Sequence, residues 1–187
     1  MRVGVLAVQG DFEKHIHSLK SLSNPPETIE VRTPEDLAKV ERLIIPGGES
    51  TTVGLLLQRY GLADAIQERA AAGMPIWGTC MGMIMLSKKV EGRDQFTLGL
   101  LDITVRRNAF GAQVHSFEAP VSMTNLSEPV EGVFIRAPIV TEYGDLTEVL
   151  ARYDGKVVAV RQGTILGTSF HPELTDDTRL HEWFTTF

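Results

Sequence analysis

A single cysteine, Cys80, occurs in the 187 residues, so no disulfide can form within the chain, and this usage fits a reducing compartment. Long hydrophobic runs are also missing. The apolar stretch Val3–Val8 is far short of the roughly twenty residues a membrane helix needs, and no cleavage-like segment follows it. It reads as the first core strand of a cytoplasmic protein. Basic charge is not in excess: 18 Lys and Arg against 24 Asp and Glu leave a net charge of −6, which argues against a nucleic-acid partner. His15, His17, His115 and His181 show no metal-ligand spacing with a second His or Cys, so no zinc site is expected. Repeats and low-complexity segments are absent. What remains is ordinary globular material, 43% hydrophobic, expected to form one domain over residues 1–187 with a substantial core.

The first half alternates short apolar runs with helical spacing. Val3–Val8, Thr28–Val31, Leu43–Ile45 and Met74–Trp77 read as strands buried on both faces. Between them, Phe12, Ile16 and Leu19 recur at helical spacing behind Asp11, a candidate cap. Thr33-Pro34-Glu35-Asp36 has the cap, proline and acids of a helix start. Two further helical stretches carry Val53, Leu56, Leu57 and Tyr60, then Leu62, Ile66 and Ala70. Such alternation predicts a mostly parallel sheet covered on both faces, with sites at the carboxyl ends of the strands. Gln9-Gly10, Gly47-Gly48-Glu49 and Cys80 fall at those ends. From Leu98 onward strand patterns dominate (Leu101–Val105, His115–Val121, Val133–Ile135, Val157–Val160, Thr164–Phe170), which predicts antiparallel or mixed pairing. Polar Lys88–Gln95 reads as a loop. A last helix carries Leu180, Trp183, Phe184 and Phe187 on one face.

The chemistry gathers on Ile76-Trp77-Gly78-Thr79-Cys80-Met81-Gly82. An apolar run ending in Gly-x-Cys-x-Gly is the thiol form of a nucleophile elbow, where a strand turns sharply into a helix and lifts the middle side chain out. Most free cysteines are small buried hydrophobes. The flanking glycines, preceding strand and following helix argue otherwise, because a helix N-terminus and a nearby imidazolium lower a thiol's pKa. Phe170-His171-Pro172-Glu173 supplies the other parts of a nucleophile–base–orienter set. Pro172 pushes His171 toward extended backbone, and residues two apart on a strand project to the same side. Pro46-Gly47-Gly48-Glu49-Ser50-Thr51-Thr52 has the look of a strand-to-helix turn capped by Ser50. It lacks the Gly-Lys-Ser/Thr ending of a phosphate loop. The amides of Gly48 and Met81 are candidate donors to the oxyanion of a tetrahedral intermediate. These residues point to acyl transfer through a thioester.

With these residues in view, the chain resembles the class I glutamine amidotransferases, and among them the glutaminase subunits of pyridoxal 5′-phosphate synthase. The resemblance runs nearly end to end. Beyond the elbow and His-Pro-Glu, it rests on Gly47-Gly48-Glu49-Ser50-Thr51-Thr52, Arg107-Asn108-Ala109-Phe110-Gly111 and Phe134-Ile135-Arg136-Ala137-Pro138. It implies a three-layer αβα sandwich with a mostly parallel central sheet that hydrolyses L-glutamine to glutamate and ammonia without a cofactor. It also implies the roles of Cys80, His171 and Glu173 as a catalytic triad, and of Gly47, Gly48, Glu49, Arg107, Ile135 and Arg136 in lining the glutamine site. An arginine suits the substrate's α-carboxylate and a glutamate its α-ammonium, whereas Arg106 reads as a surface charge. The implied partner is a (β/α)8 synthase subunit in a large hetero-oligomer, which uses the ammonia to build pyridoxal 5′-phosphate. Two positions depart from the family pattern. Met81 stands where alanine is common, and Ala112 where arginine often follows Phe-Gly. Delivery of ammonia to another synthase, such as the imidazole glycerol phosphate one, is the nearest alternative; a thiol hydrolase or redox-responsive protein on a similar elbow is a second, and an inactive interaction module, against which the intact Cys80, His171 and Glu173 set argues, is a third.

Overall fold

The structure, a computed structural model, describes residues 1–111 and 115–187; Ala112 lies outside the described residues. Strand–helix alternation builds the first half. β1 (Arg2–Leu6) leads to α1 (Phe12–Lys20), β2 (Glu27–Val31) to α2 (Pro34–Ala38), and β3 (Arg42–Ile45) to α3 (Ser50–Arg59) and α4 (Leu62–Ala71). β4 (Ile76–Thr79) runs straight into α5 (Met81–Leu86). The second half is mainly strands: β5 (Ser87–Val90), β6 (Leu101–Arg106), β7 (Ser116–Val121), β8 (Val130–Ile135), β9 (Ile139–Tyr143), β10 (Glu148–Tyr153), β11 (Lys156–Gln162) and β12 (Ile165–Thr168). A 3₁₀ turn (Pro172–Leu174) and α6 (Arg179–Phe184) complete it.

The ten-stranded central sheet has the order β2-β1-β3-β4-β12-β11-β9-β6-β5, with β10 added onto β11. From β2 to β12 every neighbour is parallel, as the alternation predicts. The joins of β11 to β12, β9 and β10, and of β6 to β9, are antiparallel, while edge strand β5 returns to parallel pairing with β6. β7 and β8 form a separate antiparallel ribbon.

Alternation along the strands divides the core between two faces. Leu43, Ile45 and Ile76 pack with Val53, Leu57, Leu62 and Ile66 of α3 and α4 and with the α5 methionines. Ile44 and Trp77 point the other way, into a cluster with Leu19 of α1, Leu180 and Phe184 of α6, and Phe134 of β8. The sheet thus lies between two covering layers. A helix at Thr33 begins as its sequence dictates: Thr33 Oγ1 accepts from the Asp36 amide and the Asp36 carboxylate accepts from the Thr33 amide, a reciprocal capping box. No helix is long and apolar enough to cross a membrane among the described residues.

Several local expectations need correction. Asp11 makes no capping bond, since its backbone (φ −83°, ψ 48°) is not that of a cap. The cap of α3 is Glu49 and not Ser50, which is already helical and buried. Part of the polar Lys88–Gln95 segment is strand β5, where Ser87 and Val90 are buried and the two lysines face solvent. Glu173 reaches His171 around a 3₁₀ turn, not along a strand, because Pro172 takes the first position of that turn.

Candidate active site

The parallel pairing of β4 with β12 sets the geometry of the site. Thr79 and Thr168 are partners in register, so the residues just beyond both strand ends emerge together. Cys80 follows on one side and His171 on the other. The elbow is held by the Cys80 amide, which donates to the Thr168 carbonyl at 2.8 Å. Cys80 has φ +53° and ψ −108°, a backbone that costs a non-glycine residue on the order of 1–3 kcal/mol and persists only where neighbours impose it. The flanking glycines are required by space. A Cβ on Gly78 would lie 2.4 Å from the Gly82 carbonyl group, and one on Gly82 would lie 2.0 Å from the Ile45 carbonyl oxygen. Cys80 Sγ is half-buried and lies 3.8 Å from the Ile135 carbonyl oxygen.

His171 is held from two directions. Its amide donates to the Val133 carbonyl at 2.8 Å, and its Nδ1 lies 2.6 Å from Glu173 Oε1. The other side of the ring faces Cys80. Burial works against a charged imidazole, but hydrogen bonding to Cys80 and Glu173 outweighs it and raises His171 to about 10. Burial would likewise raise the Glu173 carboxyl, yet the hydrogen bond and charge of the adjoining His171 hold it below the usual carboxylate range. At neutral pH the pair is therefore an imidazolium donating Nδ1–H to a carboxylate.

A cavity of about 420 Å³ opens over these groups, at the carboxyl ends of the parallel strands. Cys80, Met81 and His171 line it together with Gly47, Gly48 and Glu49 and with Arg107, Ile135 and Arg136. Glu173 does not line it but sits fully buried behind His171. Gly10, Asp11, Ser50, Ile84 and Asn108 also line the cavity.

The Gly47-Gly48 wall is packed tightly enough to exclude side chains. A Cβ on Gly47 would lie 2.6 Å from His171 Cε1, and one on Gly48 would lie 2.6 Å from Gln9 Oε1. Gln9 Oε1 accepts from the Glu49 amide at 2.9 Å, tying this wall to the end of β1. Gly10 (φ +96°) lies directly under the Gly47 carbonyl, where a Cβ would be 1.9 Å from the oxygen. Among the described residues, neither the Gly48 nor the Met81 amide has a hydrogen-bond acceptor. Met81 is buried, with its Cε 3.4 Å from where a Gly48 Cβ would stand.

Charge around the cavity is specific. Among the described residues, Arg107 Nη1 is buried without a partner, an unmet donor on a cavity residue. Arg136 has φ +44° and lines the rim. Arg106 is an exposed residue paired with Glu91 at 3.1 Å. The Glu49 carboxylate accepts from the amides and hydroxyls of Thr51 and Thr52, and the Thr51 hydroxyl leads in drawing it down to about 2. It therefore places a fixed negative charge at the cavity wall while capping α3.

One buried group beside Glu173 belongs to no motif. His15 of α1 is fully buried with Nε2 3.5 Å from Glu173 Oε2, and its Nδ1 is 2.9 Å from His181 Nε2. Its signal was present, since Phe12, His15 and Leu19 share a helical face, while His17 is on the exposed one.

Comparison with known proteins agrees with this architecture. The sequence profile of the SNO glutamine amidotransferase family matches residues 5–187. A protein of Herpetosiphon aurantiacus named pyridoxal 5′-phosphate synthase subunit PdxT is 57% identical, with 98% of each chain covered. One of the same name from Geobacillus sp. (strain WCH70) is 48% identical, over 98% of this chain and 95% of that one. A solved structure of a glutamine amidotransferase superposes with a TM-score of 0.91 at 48% identity, covering 97% of this chain and 96% of that one. PurLQS from Thermotoga maritima, at 19% identity and a TM-score of 0.76, shares the fold. With a family profile matched almost end to end, the chain belongs to the SNO glutamine amidotransferase family.

Proposed function

We propose that the chain, as one domain over residues 1–187, is the glutaminase subunit of a pyridoxal 5′-phosphate synthase, with Cys80, His171 and Glu173 as its catalytic triad. The observation that carries the triad is the buried Glu173 holding His171 Nδ1 at 2.6 Å while the same ring faces Cys80 in the cavity. L-glutamine enters with its α-carboxylate toward Arg107, whose unmet Nη1 supplies the donor, and with Arg136 and Ile135 at the rim. Glu49, beside Gly47 and Gly48, attracts its α-ammonium.

The Cys80 sulfur, its proton held on His171, attacks the side-chain amide carbon. The oxygen becomes an oxyanion that accepts from the Gly48 and Met81 amides. Losing one such donor typically costs about 3 kcal/mol of barrier. His171 gives its proton to the departing nitrogen, ammonia leaves and a glutamyl thioester remains. Water then loses a proton to His171, adds to the thioester carbon, and expels the sulfur as glutamate forms. Glu173 keeps the ring in one tautomer and orientation throughout.

The ammonia passes to a (β/α)8 synthase subunit in a large hetero-oligomer of the cytoplasm. Docking acts on the Gly47-Gly48 peptide, which must turn its N–H toward the oxyanion. The Gln9-Gly10 segment packed beneath that peptide is placed to hold it in either orientation. Glutamate release from L-glutamine, measured with and without the synthase and repeated with Cys80→Ala, tests this reading. Turnover that needs the synthase and disappears in the variant is expected. Equal turnover without the synthase removes the gating, and an active Cys80→Ala removes the mechanism.

A further inference from the structure

We propose that His15 is a positioning residue of the glutaminase reaction: it holds the second oxygen of Glu173 and ties that carboxylate to the strand end carrying Cys80. The proposal rests on the reading above, in which Glu173 orients His171.

Glu173 has two buried oxygens with unequal partners. Oε1 accepts from His171 Nδ1 at 2.6 Å, while Oε2 has no hydrogen bond among the described residues. His15 Nε2 faces Oε2 at 3.5 Å, and the same nitrogen lies 3.1 Å from Thr79 Oγ1. Both side chains are fully buried, so water does not dilute the contact. A lone pair on Nε2 would face the carboxylate's own lone pairs, so the arrangement requires the proton on Nε2. His15 Nδ1 is then an acceptor, and His181 Nε2–H donates to it at 2.9 Å. The result is a directed chain in which His181 donates to His15, and His15 donates toward Glu173 and Thr79. His171 donates to the carboxylate from the other side.

Each member is fixed by a different part of the fold. His15 comes from α1, His181 from α6, Thr79 from the end of β4 immediately before Cys80, and Glu173 from the 3₁₀ turn after β12. His181 is wedged against Trp77, with ring centroids 4.9 Å apart, and His15 meets the same indole edge-on at 5.9 Å. A fully buried imidazole is costly without a polar partner, and a leucine would fill this helix face. Burial is the main reason both rings are held below the ordinary histidine value, which keeps them neutral beside the carboxylate. The ionisable groups facing His15 are Glu173, His171, Asp11 and His181; those facing His171 are Cys80, Glu173 and His15.

The test is glutamate release by the complex with the synthase, across pH, for the unmodified chain, His15→Phe and His15→Gln. With Phe, kcat falls roughly ten- to a hundredfold, the usual cost of losing a group that orients a first partner. KM stays within about twofold, because His15 touches no substrate. The alkaline limb of the pH profile moves down by about one unit, as a carboxylate free to rotate no longer sustains the His171 charge. Gln, which offers an N–H to the same oxygen, restores most of the rate and the limb. Full activity in His15→Phe overturns the proposal, and so does a loss of rate with an unmoved limb that Gln does not restore. Should the variants fail to fold, nitrogen-15 NMR of the histidine-labelled unmodified chain decides. His15 carries its proton on Nε2 at neutral pH if the proposal holds, and on Nδ1 if it does not. An inert Cys80→Ala beside a normal His15→Phe removes only the positioning role, whereas an active Cys80→Ala removes the reading beneath it.

Discussion

Lowering the pH from 6.5 to 4.5 is expected to reduce the stability of the folded chain by roughly 1 kcal/mol per unit on account of His181 alone. His181 is buried beside His15, and that burial lowers it from 6.5 to about 3. Below 6.5 the unfolded chain takes up a proton here that the folded chain refuses, so stability falls with pH until the folded value is reached. Over two units the loss is about 2 kcal/mol, a sizeable part of a typical domain's margin. His15 is shifted in the same direction by the same cause and steepens the slope. His171 does not interfere. Raised to about 10, it contributes fully below 6.5, and that contribution is lost as pH rises from 6.5 through 10. Glu173, lowered from 4.5 to about 2, contributes fully above 4.5 and is lost as pH falls toward 2. The window from 6.5 to 4.5 therefore isolates the two buried rings. Urea unfolding at intervals across it, with a constant m-value, measures the slope. In His181→Phe the slope should drop by roughly 1 kcal/mol per unit. A flat profile in the unmodified chain, or an unchanged slope in the variant, refutes the reasoning.

Three other substitutions separate the parts of the account. Gly82→Ala, whose Cβ would meet the Ile45 carbonyl oxygen at 2.0 Å, should cost about 1–3 kcal/mol in urea unfolding and abolish glutamate release, because the elbow has to move. Arg107→Ala should raise KM for glutamine by roughly tenfold or more with kcat little changed, the signature of a lost charge-assisted hydrogen bond to the ground-state carboxylate. Thr33→Ala breaks a capping box that does not line the cavity, so about 1 kcal/mol of stability should go while steady-state kinetics stay the same.

The parallel half of the fold and the residues around the cavity were legible because the relevant physics is local. Leu43-Ile44-Ile45 and Ile76-Trp77 are apolar on both faces, as only a doubly covered strand needs to be, and glycines mark the close approaches at positions 78 and 82. The less legible parts depend on distant partners. β5 hides in a polar segment because Lys88 and Lys89 face water at the sheet edge and only Ser87 and Val90 are buried. β9 is hard to read because its pairing with β6 is long-range, whereas β10 folds back on β11 as a local hairpin whose Asp154-Gly155 turn is a sequence signal for it. Glu49 displaced Ser50 as the cap because its longer side chain reaches both the Thr51 and Thr52 amides. His15 and His181 looked like incidental helix residues, since the sequence separates them by 166 positions and only the packing of α1 against α6 joins them.

Rapid acid quenching of the complex during glutamine turnover, followed by intact-mass analysis, asks whether Cys80 carries the glutamyl group. One glutamyl adduct on this chain, located at Cys80 by digestion and absent from Cys80→Ala, is the predicted result. Turnover of glutamine with no adduct at Cys80 under conditions that slow hydrolysis, or an undiminished rate in the alanine variant, would contradict it.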